Sequence, residues 1–157
     1  MYSRILVPVD GSEASTLGLQ EAVRLAKALH ACIRVVHVID SVSLLSVTTG
    51  VAGYSLVMES LRKAGGLLLE EAQALVAKEG IEVDTALVEA ATVATGECVV
   101  RKAREYHADL IVCGTHGRRG LERVLMGSDA EYIVRHAPVP VLLVRTHVDR
   151  DHKQHAA

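Results

Sequence analysis

Five short runs rich in β-branched residues alternate along the chain with four longer segments of helical periodicity. The five runs cover residues 4–9, 32–39, 81–88, 110–113 and 139–145. Strict alternation of strands and helices predicts a parallel sheet with helices on both faces. Uninterrupted apolar stretches such as VVHVI and LIVC are typical of strands that are buried on both sides. The pattern therefore predicts an open α/β fold with a five-stranded parallel sheet.

The four helical segments show apolar residues at i, i+3 and i+4 spacing. We expect helices over residues 13–30, 54–79, 96–106 and 127–136. Gly80 stands where a glycine often ends a helix, whereas Gly65 and Gly66 interrupt the second segment. Residues 40–53 have no clear period, and we expect a long loop there at the carboxyl edge of the sheet.

Three prolines bear on where the first and the last strand can lie in the sheet. Pro8 conflicts with a central position for the first strand, because proline donates no hydrogen bond to a sheet. Pro138 and Pro140 are compatible with an edge position for the last strand. We keep both strand assignments.

Composition limits the class of protein. The chain has 157 residues, of which 50% are hydrophobic, and this length suits one domain, predicted over residues 1–145. Residues 146–157 form a polar tail that we expect to be disordered.

The four Tyr and the absence of Phe and Trp predict an aliphatic core and argue against a stacking surface for single-stranded nucleic acid. The net charge of −2 indicates neither a nucleic-acid-binding surface nor an acidic tail.

The three cysteines are too widely spaced for a zinc site or a disulfide framework. Cys32 and Cys113 lie in apolar runs and are predicted to be small buried side chains. The chain also lacks a run of roughly 20 apolar residues and a signal-peptide pattern. We therefore expect a soluble, cytoplasmic protein without a membrane partner.

Two strand ends carry residues suited to binding a polyphosphate. One is Asp10-Gly11-Ser12 after the first strand, and the other begins at Gly114 after the fourth strand and runs to Ser128. Glycines allow backbone N–H groups to approach phosphate oxygens, and a helix N-terminus attracts anions. Three arginines and one glutamate between residues 114 and 126 give a local excess of +2. Ligands of open α/β sheets bind at such carboxyl ends.

A purely structural interpretation of the same residues stays open. Gly114 and Gly117 are also compatible with ordinary turns, and Asp10 and Ser12 with capping of the first helix. The chain contains neither GxxxxGK[ST] nor GxGxxG, so it has no P-loop and no dinucleotide-binding fingerprint.

The spacing Gly114-x2-Gly117-x9-Gly127-Ser128 resembles the nucleotide-binding motif of the universal stress protein family, in its ATP-binding branch. The segments ILVPVDGS (5–12), ADLIVCGTHG (108–117) and APVPVLLVR (137–145) are similar to that family as well. The resemblance implies a Rossmann-like sheet in the order 3-2-1-4-5. In that order strands one and four flank the point where the strand order reverses.

The resemblance also implies a set of residues that bind ATP, with Mg²⁺ or Mn²⁺ as an expected companion of its phosphates. In this sequence the residues are Pro8, Val9, Asp10, Val38, Gly114, Thr115, His116, Gly117, Arg118, Gly127, Ser128 and Asp129. Val9 and Asp10 would line the adenine and ribose end, and Val38 would contact the adenine through its backbone. The glycine motif would hold the ribose and phosphates. Since Val9, Asp10 and Val38 carry no aromatic ring, we expect aliphatic side chains to clamp the base and backbone groups to read it. The role of Asp129 is open, because its carboxylate would repel a phosphate unless a metal ion lies between them.

The family further suggests a homodimer formed through the fifth strand at Val139, Val141 and Leu143. Such an exposed apolar edge must be paired or covered, so coverage by the tail or by a loop is the alternative. We expect at most slow ATP hydrolysis, because catalysis needs a positioned base, a metal ion and charge stabilisation. A slow nucleotide hydrolase and a binding module that uses the cleft for another ligand or partner remain the alternatives.

Other chemically active side chains have structural explanations. His37 lies in an apolar strand and is predicted to be a core histidine rather than a ligand. His147, His152 and His155 in the tail have irregular spacing, so no metal site is predicted. The basic residues of the third helix are expected on its solvated face; they are Arg101, Lys102 and Arg104.

Overall fold

The computed structural model describes residues 1–41, 51–115 and 126–145, with residues 51 and 52 described by backbone only. The strands are β1 (Arg4–Pro8), β2 (Cys32–Asp40), β3 (Val83–Ala90), β4 (Leu110–Gly114) and β5 (Val141–Val144). The helices are α1 (Glu13–Leu29), α2 (Val51–Lys78), α3 (Thr95–Tyr106) and α4 (Ser128–His136). The predicted alternation of strands and helices is therefore confirmed.

All four strand pairs are parallel, and the sheet order is β3-β2-β1-β4-β5. This is the predicted order 3-2-1-4-5. The central strand β1 pairs with β2 on one side and with β4 on the other. Because the chain first moves outward through β2 and β3 and then returns to β4, the strand order reverses between β1 and β4.

Pro8 is accommodated because it is the last residue of β1. Its neighbour Val9 donates its N–H to Val36 O on β2, 2.8 Å away, so the nitrogen of Pro8 faces the β4 side. The pairing of β1 with β4 covers Ile5 and Leu6 only. The N–H that Pro8 lacks would therefore lie beyond the paired residues of β1 and β4, so the pairing of these strands does not need it.

The core has two layers, one on each face of the sheet. Helices α1 and α2 cover one face over a cluster that includes Ile5, Val7 and Ile33. Helices α3 and α4 cover the other face over a cluster that includes Leu6 and Ile111. Burial of both faces explains why the central strands are almost wholly apolar. Among the described helices, none is both long and apolar enough to cross a membrane.

Several boundaries differ from the sequence-based prediction. Strand β2 continues to Asp40 and helix α2 begins at Val51, so residues 51–53 of the expected loop are helical. The remainder of that loop, residues 42–50, and the tail, residues 146–157, lie outside the described residues. Gly80 has a φ of 74°, as a residue that ends a helix in the left-handed region should.

The cysteines are only partly as predicted. Cys113 is buried, but Cys32 is half-buried at the amino end of β2, where its Sγ atom lies 3.1 Å from the hydroxyl oxygen of Tyr106. The prediction that Cys32 is a small buried side chain is therefore wrong, because the residue is only half-buried and its thiol contacts a tyrosine hydroxyl. The first residue of a strand lies at the rim of the sheet, where polar neighbours can reach it.

Candidate functional site

The turn between β1 and α1 is ordered by hydrogen bonds among its own residues. Asp10 Oδ1 accepts the N–H of Ser12 at 2.9 Å, and Ser12 Oγ accepts the N–H of Ser15 at 3.2 Å. Gly11 between them has a φ of 78°, a conformation that glycine adopts without strain. Ser12 is therefore the N-cap of α1. The capping interpretation is confirmed for Ser12, and Asp10 fixes the turn that places it.

The end of β4 and the start of α4 are joined through Thr115. The N–H of Thr115 donates to Val144 O on β5 at 2.9 Å, and its carbonyl accepts the N–H of Gly127 at 2.9 Å. Eleven intervening residues separate Thr115 from Gly127 in sequence, yet this bond places the first turn of α4 beside the end of β4. The two described halves of the glycine motif are thus neighbours at the carboxyl edge of the sheet.

Gly114 is required by packing against α1. A Cβ atom at this position would lie 2.6 Å from the carbonyl carbon and oxygen of Ala14. Gly18, one turn further along α1, approaches the same place, since its Cβ would lie 3.3 Å from the nitrogen of Gly114. The absence of a side chain at Gly114 therefore lets α1 approach the end of β4, a role that the motif alone does not reveal.

Asp129 reaches another helix. Its Oδ1 atom lies 3.2 Å from the backbone nitrogen of Gly96, in the first turn of α3. The N-cap residue of α3 is Ala94, which has no side-chain cap. A carboxylate at a helix N-terminus is favourable because it accepts a hydrogen bond and complements the helix dipole. Asp129 therefore caps α3, while its place among the residues that bind the phosphates stays a prediction.

Three of the helix starts at this edge, those of α1, α3 and α4, differ in how they are capped. Helix α1 is capped by Ser12, and α3 receives the carboxylate of Asp129. The N-cap residue of α4 is Gly127, which is extended, at φ −61° and ψ 147°, and has no side chain to cap the helix. Ser128, its first residue, is exposed. The first N–H groups of a helix have no intrahelical partner, so this start is suited to an anionic ligand.

The residues expected at the base lie on two faces of the sheet. Val9 is buried in the cluster under α1 and α2, while Val38 packs partly against the cluster under α3 and α4. These two side chains therefore lie in opposite layers of the core, and the contact expected of Val38 with the adenine is through its backbone. Pro8, half-buried at the end of β1, lies next to Val9.

His37 is a buried neighbour of this site. Its Nδ1 atom lies 2.8 Å from the carbonyl oxygen of Val9, and only 7% of the residue is exposed. The core assignment made from the sequence is confirmed. Its contact with the end of β1 was not predicted, because it joins two strands whose register only the fold decides.

The thiol of Cys113, just before the glycine motif, adds no charge to this edge. Burial raises the pKa of Cys113 to about 11, so the thiol stays neutral at ordinary pH. His116, Gly117 and Arg118 lie outside the described residues, as do residues 119–125. Within the described ranges, no group of three or more His, Cys, Asp or Glu side chains could hold a metal ion.

Comparison with known proteins places this architecture in a family. The family model described as the universal stress protein family matches residues 1–145. The chain is 34% identical over 145 residues to universal stress protein MJ0531 of Methanocaldococcus jannaschii, covering 92% of this chain and 83% of that protein.

Solved structures share the fold. Hypothetical protein MJ0577 superimposes with a TM-score of 0.84 at 24% identity, over 94% of this chain and 98% of that one. A universal stress protein from Archaeoglobus fulgidus in complex with dAMP has a TM-score of 0.62 at 24% identity, over 92% and 98% of the two chains. A universal stress protein in complex with cAMP has a TM-score of 0.67 at 23% identity, over 93% and 98%. The family match and the identity to MJ0531 show that this chain belongs to the universal stress protein family.

Proposed function

We propose that this protein binds ATP at the carboxyl edge of β1 and β4 and acts as a nucleotide-responsive stress protein. The observation that carries the proposal is the glycine start of α4. The neighbouring starts of α1 and α3 receive side-chain oxygens, whereas α4 has a glycine at its N-cap beside the end of β4. A phosphate group would take the place that a capping side chain occupies elsewhere.

The adenosine would lie toward the end of β1. Asp10, partly exposed in the ordered β1–α1 turn, is the side chain suited to the ribose hydroxyls, since a carboxylate accepts hydrogen bonds from both. Val38, half-buried near the end of β2, would contact the base. The remaining predicted ligands are Pro8, Val9, Gly114, Thr115, His116, Gly117 and Arg118. Relatives of the same fold that carry dAMP and cAMP support an adenine nucleotide as the ligand class.

The site favours binding over rapid hydrolysis. Asp129 is the acidic residue closest in sequence to the proposed phosphate position, and its Oδ1 atom is bonded to Gly96 of α3. A divalent cation bound with ATP would then be held mainly by the phosphates and water, as is common for Mg²⁺. We infer a binding protein whose hydrolysis of ATP is slow.

Calorimetric titration with ATP and Mg²⁺ tests the proposal, with AMP, ADP, GTP and cyclic AMP as a panel. We expect heat of binding and a 1:1 ratio of ATP to chain. Protein purified without added nucleotide is also acid-denatured and its supernatant analysed for adenine nucleotide. Absence of both heat and released nucleotide would contradict ATP binding, and turnover of several per second would favour a hydrolase.

We also propose a homodimer formed through β5. Strand β5 pairs with β4 on one side and ends the sheet, and Leu142 on it is 36% exposed. Val139, Val141 and Leu143 are only partly buried against the core under α3 and α4. Sedimentation of the wild type should give a dimer, and Leu142→Lys should give monomers, because a lysine on an edge strand opposes strand pairing. A monomeric wild type would contradict the dimer without affecting the nucleotide site.

A further inference from the structure

We propose that His37 is a positioning residue of the nucleotide site, and that Gly65 of α2 leaves the room in which its imidazole packs. The inference rests on the proposed nucleotide binding at the end of β1. It gives His37 a role beyond core packing, and it explains why a glycine interrupts the middle of a long helix.

The first step is the bond between His37 and Val9. Nδ1 of His37 lies 2.8 Å from Val9 O, and because a carbonyl oxygen only accepts, Nδ1 carries the hydrogen. Val9 also donates its N–H to Val36 O at 2.8 Å. The last residue before the β1–α1 turn is thus held at both backbone polar atoms by β2.

The second step is the turn itself. Asp10 follows Val9 directly, and its N–H lies 3.4 Å from Ser15 Oγ while its carboxylate accepts the N–H of Ser12. A rotation of the Val9 carbonyl would turn the peptide plane that it shares with Asp10. The orientation of the Asp10 carboxylate, proposed to bind ribose, therefore depends on the His37 bond.

The third step is the packing of the His37 imidazole against α2. A Cβ atom on Gly65 would lie 2.7 Å from Cδ2 and 3.3 Å from Nε2 of His37, and 2.9 Å from Leu87 Cδ1. A helical glycine costs about 1 kcal/mol relative to alanine, and at Gly65 this cost is offset by the room that it leaves for the imidazole. Gly66, the next residue, has open space where its Cβ would be. Gly65 lets α2 approach the imidazole, whereas Gly66 has no such contact.

Two His37 variants separate positioning from simple packing. In His37→Asn, the side-chain nitrogen replaces Nδ1 at a similar distance from the backbone, so the bond to Val9 can be kept. His37→Leu fills most of the volume and leaves the Val9 carbonyl without this donor. Loss of one such bond corresponds to about 2- to 10-fold in affinity, so we expect ATP binding to weaken by that factor in His37→Leu and to be largely restored in His37→Asn.

The two adjacent glycines of α2 give a matched pair. Gly65→Ala should weaken ATP binding several-fold by displacing the imidazole. Gly66→Ala should leave affinity unchanged and raise the stability of the protein, since alanine favours the helix. Equal affinities for all four variants and the wild type, with folds intact by circular dichroism, would overturn the role of His37.

Amide hydrogen exchange without nucleotide keeps this inference separate from the proposed function. We expect the Ser12 amide to exchange faster in His37→Leu and Gly65→Ala than in the wild type, His37→Asn and Gly66→Ala. If the wild type binds no nucleotide but these differences appear, ATP binding fails while the positioning of the turn stands. Unchanged exchange in His37→Leu would overturn the positioning, whatever the affinity for ATP.

Discussion

Asp129 Oδ1 lies 3.2 Å from the backbone nitrogen of Gly96, so the first turn of α4 caps the first turn of α3. The approach is close, because a Cβ atom on Gly96 would lie 2.9 Å from the Cβ of Tyr132 and 3.0 Å from Asp129 O. The start of α4 therefore serves two purposes in the proposed function. Its side-chain carboxylate stabilises a neighbouring helix, and its backbone faces the ligand.

Removal of this cap should affect stability rather than binding. We expect Asp129→Ala to lower the free energy of unfolding by about 1 kcal/mol, the usual cost of a lost N-cap. ATP affinity should stay the same or rise, because a negative charge near the phosphates is removed. Denaturant titration and calorimetry measure the two effects.

Glu131→Ala is the matched control, since Glu131 is an exposed acid of the same turn that pairs with Arg135 at 2.7 Å. That change should cost at most about 0.5 kcal/mol. A large loss of ATP affinity in Asp129→Ala at unchanged stability would show that Asp129 is a ligand or holds the metal ion.

Gly114 should be sensitive to substitution even in the absence of nucleotide. Gly114→Ala places a methyl group 2.6 Å from backbone atoms of Ala14, and backbone cannot yield as a flexible side chain can. We expect a loss of about 1–3 kcal/mol in the free energy of unfolding, the usual cost of overpacking. Gly18→Ala, whose closest contact would be 3.3 Å, should cost less. Equal stability of Gly114→Ala and the wild type would contradict the packing role.

Gly127, the N-cap residue of α4, offers a test of phosphate binding at this helix start. Its φ of −61° suits any residue, so a side chain there introduces no backbone strain. Gly127→Asp should cap α4 from within and place a negative charge where a phosphate would bind. We expect stability to be maintained and ATP affinity to fall at least about tenfold, which corresponds to 1.4 kcal/mol.

Gly127→Asn is the neutral comparison, because it provides a cap without the charge. We expect it to weaken ATP binding less than Gly127→Asp does. If Gly127→Asp binds ATP as the wild type does, the phosphate does not lie at this helix start.

Asp109 should make the free energy of unfolding depend on pH in the acidic range. Burial alone would raise the pKa of Asp109, but hydrogen bonds from Ser3 N, Ser3 Oγ and Arg4 N, at 2.8, 2.8 and 3.0 Å, lower it below its usual value. A carboxylate whose pKa is lowered by folding stabilises the protein above its unfolded pKa of about 3.9. This stabilisation is lost as the pH falls through the folded pKa.

Asp109→Asn should therefore lower the free energy of unfolding at pH 7 by about 1–3 kcal/mol, the cost of weakening bonds to a charged group. Its stability should also fall less steeply than that of the wild type below about pH 4. Denaturant titrations at pH 7 and at several values below pH 4 check both expectations. Parallel pH profiles of the two proteins would contradict a lowered pKa in the folded state.

The class of fold followed from local sequence patterns. Apolar strands alternate with amphipathic helices, and a chain with this local pattern buries both faces of a parallel sheet in few ways. The glycine spacing and the segment around Asp10 marked two strand ends as a candidate ligand site because such signals are local. The strand order, which places these ends where the order reverses, was implied by the resemblance to the family. Capping by Ser12 was predictable for the same reason, since a cap and its helix are adjacent in sequence.

Roles that depend on distant neighbours became visible once the elements were packed together. Asp129 meets Gly96, Gly114 meets Ala14, and His37 meets Val9 through contacts between elements far apart in the chain. Residue types at these positions are compatible with a ligand or with packing, and the pattern alone does not distinguish them. The distinction depends on which helix crosses which strand, and on the free space that remains once backbones are in contact.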